Sequence, residues 1–374
     1  MRFIDLKAQY AALKTEIDAA VRRVISGGQF IMGDEVEELE REICECLSVK
    51  HTVSCANGTD ALQMLYMAYG VGRGDAVFCP DVTFVSSVEP AFMLGATPVF
   101  CDIDPLSYNL CPASLERQIE AVMSEGRLRP RAIVAVDIFG NPADYNAIKK
   151  IAVRYGLILI EDAAQSFGGE YEGKKCGALA DSAITSFFPV KPLGCYGDGG
   201  AVMTDDDGIA ALCRSIRIHG QGSSKYENAR IGLNSRLDTI QAAILRVKLK
   251  ALKDYEIHKR QEAAARYNDA LAGEYELQLV APRQKSAFAQ YVILSKNAKS
   301  RGALLARLKE KDIPAMVYYP LAQHRLEVFK GINGYGEAFG VADSYCSRTV
   351  AIPFHPYLEP EEQDKIIEAV LECT

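Results

Sequence analysis

Between residues 50 and 205 the chain alternates short apolar, β-branched runs with helical patterns, and this alternation narrows the available folds more than any other feature. Strands are expected over Thr52–Cys55, Ala76–Cys79, Pro98–Ile103, Ala132–Ile138, Leu157–Ile160, Ala183–Phe188 and Gly200–Thr204. Most are nearly continuous in apolar residues, as strands covered on both faces are. Helical stretches at Asp60–Tyr69, Ala113–Met123 and Tyr145–Tyr155 fall between them. The pattern predicts an α/β large domain, with a mostly parallel seven-stranded sheet sandwiched by helices. Such sheets bind ligands just beyond their strand ends.

Residues 236–270 read as one long helix, because Leu237, Ile240, Ile244, Val247 and Ala251 recur at steps of 3, 4, 3 and 4. Beyond it, strands at Gln290–Leu294 and Ala315–Tyr319 and helices at Arg301–Lys311 and Glu361–Leu371 suffice for a smaller α/β domain. The division expected is a large domain over residues 1–240 and a small C-terminal one over 241–374, entered by the long helix. A chain of 374 residues fits two or three such units. It can bury about 75% of its unfolded surface, so it needs no disulfide or metal staple.

Charge and cysteine use exclude several classes. Lys plus Arg number 42 against 49 Asp plus Glu, a net −7 that gives nucleic acid no general attraction. No apolar run approaches the ~18 residues of a membrane-spanning helix. The opening Met1–Lys7 carries no apolar leader core. A cytoplasmic protein with reduced cysteines is expected. Cys44 and Cys46 lack a second pair at zinc spacing, so no structural metal is expected.

Four segments place polar groups beyond strand ends. In Ser54-Cys-Ala-Asn-Gly-Thr-Asp-Ala-Leu62 a strand passes through Asn57-Gly58-Thr59 into a helix. The free N–H groups of a helix start suit a phosphate, although Thr59 also fits as a plain N-cap. Leu157-Ile-Leu-Ile-Glu-Asp-Ala-Ala-Gln165 ends an apolar strand in two carboxylates. A carboxylate there suits a cationic ring nitrogen or a simple helix cap. Lys191 lies between a strand and the Gly-rich turn ending at Gly199-Gly200. Most lysines are solvated charges, but beside a phosphate and a cationic ring the amine pKa falls and the group becomes a nucleophile. Finally, Asp81-Val-Thr-Phe84 offers Phe84 either to a planar ligand or to the core.

In this order the four segments resemble the fold-type I, pyridoxal phosphate-dependent sugar aminotransferases of the DegT/DnrJ/StrS type. The resemblance extends through Phe3-Ile-Asp-Leu6, Gly33-Asp-Glu-Val-Glu-Glu-Leu-Glu40, Ile218-His-Gly-Gln221, Gly232-Leu-Asn-Ser-Arg-Leu-Asp238, Tyr318-Tyr-Pro320 and Pro353-Phe-His-Pro-Tyr357. It implies that Lys191 carries the cofactor covalently and then acts as acid and base. Asp162 would pair with the pyridine nitrogen, Gln165 with the ring hydroxyl, and Phe84 would stack on the ring. Gly58, Thr59 and Ser186 would hold the phosphate, and Asn234 would reach it from the neighbouring subunit of a homodimer. Arg236, His219 and Tyr319 are the residues implied for the sugar substrate, with a core or interface role fitting His219 equally well. Within the family, Gln165-Ser-Phe-Gly168 in place of Gln-x-His-Gly resembles a subgroup acting on UDP-2-acetamido-2-deoxy-3-oxo-D-glucuronate with glutamate as donor, for O-antigen. Tyr318 departs from that subgroup, which can have His there.

Other readings fare worse. No Gly-x-Gly-x-x-Gly follows the first strand, so a Rossmann dehydrogenase is disfavoured. Gly168–Lys175 nearly matches a P-loop but ends in Lys without a following helix, and reads as a surface hairpin. Transfer to a 4-keto-6-deoxy nucleotide sugar is the main alternative. A sugar dehydratase and a catalytically silent regulatory scaffold are the remaining ones. His324 and His355 carry no assignment.

Overall fold

Each of the seven apolar runs becomes a strand of one sheet. The computed structural model describes residues 1–224, 226–332 and 338–373. In chain order the strands are β1 (His51–Cys55), β2 (Asp75–Pro80), β3 (Thr97–Cys101), β4 (Arg129–Val136), β5 (Ile158–Asp162), β6 (Glu170–Tyr171), β7 (Lys174–Lys175), β8 (Ser182–Ser186), β9 (Gly200–Thr204), β10 (Glu276–Leu277), β11 (Gln284–Lys285), β12 (Tyr291–Leu294) and β13 (Thr349–Ile352). The large sheet has the order β1-β9-β8-β5-β4-β2-β3. Neighbours from β8 to β3 pair parallel, whereas β9 runs antiparallel to both β8 and β1. The sheet is therefore mostly parallel, as the alternation of apolar runs and helices predicts.

Although the strand sequences look uniformly apolar, the pleat divides them between two cores. Val77, Phe100, Val134 and Ile160 pack with Leu62 and Leu65 on one face. Phe78, Val99, Ile133 and Leu159 pack with Leu115, Ile119 and Ile148 on the other. Fully burying a side chain of this kind contributes about 1.5–3 kcal/mol, so double coverage is what the continuous runs reflect.

The first three helices are α1 (Leu6–Gly27), α2 (Asp34–Leu47) and α3 (Gly58–Ala68), of which α3 borders the candidate site. Asp5 caps α1 by accepting from the Lys7 and Ala8 amides at 2.9 Å each. Leu13 and Ile17 of α1 then pack on Ile244 and Ala251, part of the stripe read from sequence. The long helix runs Thr239–Ala251, passes through a wide π turn at Leu252–Glu256, and continues over Ile257–Leu271. After the wide turn it buries Ala264, Tyr267 and Leu271 against the sheet β10-β12-β13. The turn thus re-aims the apolar stripe from one packing partner to another. At its end the buried Glu256 carboxylate accepts from Gln9 Nε2 at 2.8 Å and from the Tyr357 hydroxyl at 2.7 Å.

Ala315–Tyr319 does not form the strand expected of it. Met316 alone bridges to Ala351, at 3.1 and 2.8 Å. Pro314 and Pro320 bracket the segment and offer no N–H groups for a ladder to grow on. The freed Tyr318 and Tyr319 line the cavity described below. The hairpin reading of Gly168–Lys175 holds: β6 pairs with β7 across Glu172 and Gly173, both at positive φ as tight hairpin turns require. No helix among the described residues is long and apolar enough to cross a membrane.

Candidate active site

A cavity of about 640 Å³ opens where β1, β4, β5 and β8 end. One wall is the start of α3. Asn57 is the helix cap, its Oδ1 accepting from the Asp60 amide at 2.8 Å. The cap is thus taken, and the capping role considered for Thr59 falls away. The Gly58 and Thr59 amides have no acceptor within their own helix, and both residues line the cavity together with Ser186. Close approach requires glycine here. A Cβ on Gly58 would lie 2.9 Å from Ser186 Cβ, and one on Gly200 would lie 2.4 Å from the Asn57 carbonyl carbon. Two amides, the Thr59 and Ser186 hydroxyls and a helix N-terminus form a donor set that fits a phosphate.

Opposite this cradle, β5 delivers Asp162, which is 6% exposed. Its Oδ2 accepts from Ser87 Oγ at 2.9 Å and its Oδ1 from the Ala164 amide at 3.1 Å. Burial raises the Asp162 pKa; the Ser87 and Ala164 hydrogen bonds and the Lys191 charge act against that rise. A carboxylate so placed suits a cationic ring nitrogen, which adds the strongest counter-charge available.

Lys191 stands on the loop between β8 and β9. That loop is pinned at both ends, with the Phe187 amide on the Gly199 carbonyl at 2.8 Å and the Cys195 amide on the Phe187 carbonyl at 2.8 Å. Burial lowers the Lys191 pKa, and the Asp162 carboxylate partly opposes this. A lysine more easily found as the neutral amine can attack a carbonyl and accept a proton.

Aromatic groups close the remaining side. Phe84 lies with its ring 6.4 Å from that of Tyr319. Gln165 is oriented by the Phe139 amide, which donates to its Oε1 at 2.7 Å, and its side chain also meets the Tyr319 phenol. Taken together, the donor set, the acidic partner and the amine fit a phosphorylated pyridine aldehyde.

The structure therefore brings eight of the sequence-derived site residues around one cavity: Gly58, Thr59, Phe84, Asp162, Gln165, Ser186, Lys191 and Tyr319. His219, Asn234 and Arg236 are not among its lining residues. They belong to an excursion whose base is fastened near the start of α3: Ser235 Oγ accepts from the Ala56 amide at 3.0 Å, and Ile218 bridges to Asn234. Buried Arg217 donates to Glu40 at 2.6 Å and to the Ser54 carbonyl at 2.9 Å. The Glu40 carboxylate also accepts from the Ser54 amide and hydroxyl. The Gly33–Glu40 motif is thus explained as an anchor. His219 and Asn234 remain exposed on this chain.

Sequence reasoning missed Asn57 as the cap, Ser87 as a partner of Asp162, and the cavity positions of Tyr318 and Gln290. For Ser87 the only available signal was its place three residues past Phe84. Among the described residues one cluster has metal-like composition, Asp137, Glu161 and Cys176, all buried. Its carboxylates already accept from Ala143, Tyr145 and Ser166, and from Gly177 and Leu179. Burial and mutual repulsion push Glu161 well above the usual carboxylate range, so the cluster behaves as an internal acid pair.

Comparison with known proteins places this geometry. The family model described as the DegT/DnrJ/EryC1/StrS aminotransferase family matches residues 11–371. The chain is 44% identical to the UDP-2-acetamido-2-deoxy-3-oxo-D-glucuronate aminotransferase of Pseudomonas aeruginosa, over 96% of each chain. It superposes on a DegT/DnrJ/EryC1/StrS aminotransferase from Brucella abortus with a TM-score of 0.97 and 46% identity, covering 100% of this chain and 99% of that one. It also superposes on S. venezuelae DesV, solved in complex with a ketimine intermediate, with a TM-score of 0.93 and 34% identity over 99% and 97% of the two chains.

Proposed function

The chain belongs to the DegT/DnrJ/EryC1/StrS aminotransferase family and is a pyridoxal phosphate-dependent sugar aminotransferase; on that premise we propose that it transfers the amino group of L-glutamate to the 3-keto carbon of UDP-2-acetamido-2-deoxy-3-oxo-D-glucuronate, a building block for bacterial surface polysaccharide. The observation that carries the chemistry is the convergence of Lys191, Asp162 and the open N-terminus of α3 on one cavity. The choice of sugar is supported by the Pseudomonas aeruginosa relative.

In this reading the Gly58 and Thr59 amides, with the Thr59 and Ser186 hydroxyls, hold the phosphate. Asp162 pairs with the ring nitrogen and keeps it protonated. Gln165 meets the ring hydroxyl, and Phe84 covers the ring face. When bound, the cofactor supplies a carbonyl for amines and a ring that takes up negative charge developing at the substrate carbon. Lys191 removes the proton from Cα of glutamate, and in the second half-reaction delivers a proton to the aminated sugar carbon. Tyr319 faces the substrate side of the cavity.

The site is completed by a second copy of the chain. Among the described residues that line the cavity Lys191 is the one cation, against Asp60, Asp162 and Asp198. A nucleotide diphosphate, a uronate and the carboxylates of glutamate require more positive charge than this. Arg236, whose planar fork suits a carboxylate or diphosphate, and His219 meet the sugar nucleotide, while Asn234 reaches the phosphate of the neighbouring subunit. Lys191→Ala and Asn234→Ala proteins, each inactive alone, are therefore expected to regain activity when mixed under conditions of subunit exchange. Demonstrated hybrids without recovered turnover would count against a shared site.

Donor and acceptor are tested by absorbance of the cofactor-loaded protein. Glutamate should bleach the yellow band with release of one 2-oxoglutarate per site, and the 3-keto-glucuronate nucleotide should restore it. A band indifferent to glutamate rejects the donor. Restoration by a 4-keto-6-deoxy nucleotide sugar alone would move the assignment to that acceptor.

A further inference from the structure

The two oxygens of Asp162 have different neighbours. The Ala164 amide, 3.1 Å from Oδ1, is backbone; the Ser87 hydroxyl, 2.9 Å from Oδ2, is a side chain from another loop. The direction of the proton on Ser87 follows from bookkeeping of donors. An ionised carboxylate only accepts, so Ser87 must donate to Asp162. Its oxygen is then left to accept, and Thr83 Oγ1 lies 2.8 Å away to fill that role. Both residues are 1% exposed, although both border the cavity.

The backbone of this hydroxyl row is held as well. The Tyr66 hydroxyl of α3 donates to the Ser87 carbonyl at 3.0 Å, and Gln323 Nε2 donates to the Thr83 carbonyl at 2.5 Å. The Gln323 amide in turn donates to the Asp81 carbonyl at 2.8 Å. His324, next in the chain, closes the join, its amide donating to Asp81 Oδ1 at 2.9 Å and its Nδ1 lying 2.5 Å from Asp81 Oδ2. The segment that follows Tyr318 and Tyr319 is thereby fastened to the loop that carries Thr83 and Ser87.

We propose that Ser87, oriented by Thr83, is the positioning residue for Asp162, fixing the rotation of its carboxylate so that the charge is presented to the ring nitrogen of the cofactor. The proposal rests on the assignment of Asp162 to that nitrogen. Without Ser87, one Asp162 oxygen loses its donor in a site where burial already works against the anion. The groups that face Asp162 are the Ser87 hydroxyl from the turn Val85–Ser87, the Ala164 amide from its own turn, Lys191 from the β8–β9 loop, and the phenols of Tyr66 and Tyr319. Lys191 is the single cation among them. Removing the Ser87 donor shifts Asp162 toward its protonated form, so cofactor binding should fail at a higher pH as the solution is acidified.

The test is titration of apoprotein with pyridoxal phosphate across pH, for wild type, Ser87→Ala, Thr83→Val, Asp162→Ala and the Ser87→Ala/Asp162→Ala double variant. Ser87→Ala is expected to bind about ten- to a hundredfold more weakly, the range for losing a hydrogen bond to a charged group. Its acid limit of binding should move upward. Thr83→Val, which keeps the side-chain shape, should move both readings the same way by less. The double variant should bind no more weakly than Asp162→Ala, because coupled residues are not additive. Wild-type affinity in Ser87→Ala, or a loss that adds to that of Asp162→Ala with an unmoved acid limit, overturns the proposal and leaves the Asp162 assignment standing. Unaltered binding by Asp162→Ala would instead remove that assignment, and the role of Ser87 with it. Should Ser87→Ala not fold, Thr83→Val decides on the same two readings.

Discussion

Lys191→Ala should lose turnover by at least about 10⁴-fold, the upper range for a proton-transfer group acting alone, while remaining folded. The expected survival of the fold follows from how the lysine is held. Its loop is fixed by backbone hydrogen bonds from Phe187 and Cys195 and by a close turn at Gly194, where an added Cβ would lie 2.5 Å from the Pro189 carbonyl oxygen. None of these involves the Lys191 amine. Removing that amine also removes a group whose charged form is disfavoured by burial, so the melting temperature of the apoprotein should not fall. Single-turnover assays with glutamate, alongside thermal melts, decide the matter. A variant with wild-type turnover would refute the lysine assignment outright.

Asp162→Ala should act on both cofactor retention and rate. Truncating one partner of a buried, hydrogen-bonded charge pair costs about 2–5 kcal/mol, which is roughly thirty- to several-thousandfold in affinity. Ala at this position leaves the Ser87 hydroxyl without its acceptor and the ring nitrogen without a counter-charge, so proton removal from glutamate should stall even at saturating cofactor. Asp162→Asn separates the two effects, since it keeps the shape and loses the charge. Cofactor content after dialysis and the rate of bleaching by glutamate are the measurements. Unchanged values in Asp162→Ala would rule the role out.

Much of this was readable from the chain because the informative signals are local. A β-branched run that ends in Glu161-Asp162, or in Ser186 five residues before Lys191, declares both a strand and what stands at its tip. Thr59 was harder, since a hydroxyl at a helix start serves capping and ligand binding alike; the decision was made by Asn57, which took the cap. What stayed hidden depends on distant partners. Ser87 and Asp162 are 75 positions apart, and Arg217 meets Glu40 across 177. No pattern of residue types encodes such pairings. Ala315–Tyr319 misled for the opposite reason: a locally good strand composition was overruled by the two prolines beside it and by the cavity that takes up its tyrosines.

The position of β9 bears on how the protein is made. It is the last of the seven strands to leave the ribosome, yet it sits between β1 and β8 in the sheet. Its first residue, Gly200, pairs with Cys55 on one side and Ser186 on the other. Until that residue has been translated, β1 has no neighbour in the sheet and the two sides of the cavity wall, Gly58-Thr59 and Ser186, are not joined. On the proposed assignment of the phosphate site, a nascent chain stopped before β9 is expected not to load cofactor, however well its earlier strands have paired. On the proposed reading, cofactor loading therefore waits on the insertion of β9, the strand next to the edge of the sheet, and β1, waiting some 150 residues for its partner, is until then an unpaired strand open to wrong pairings.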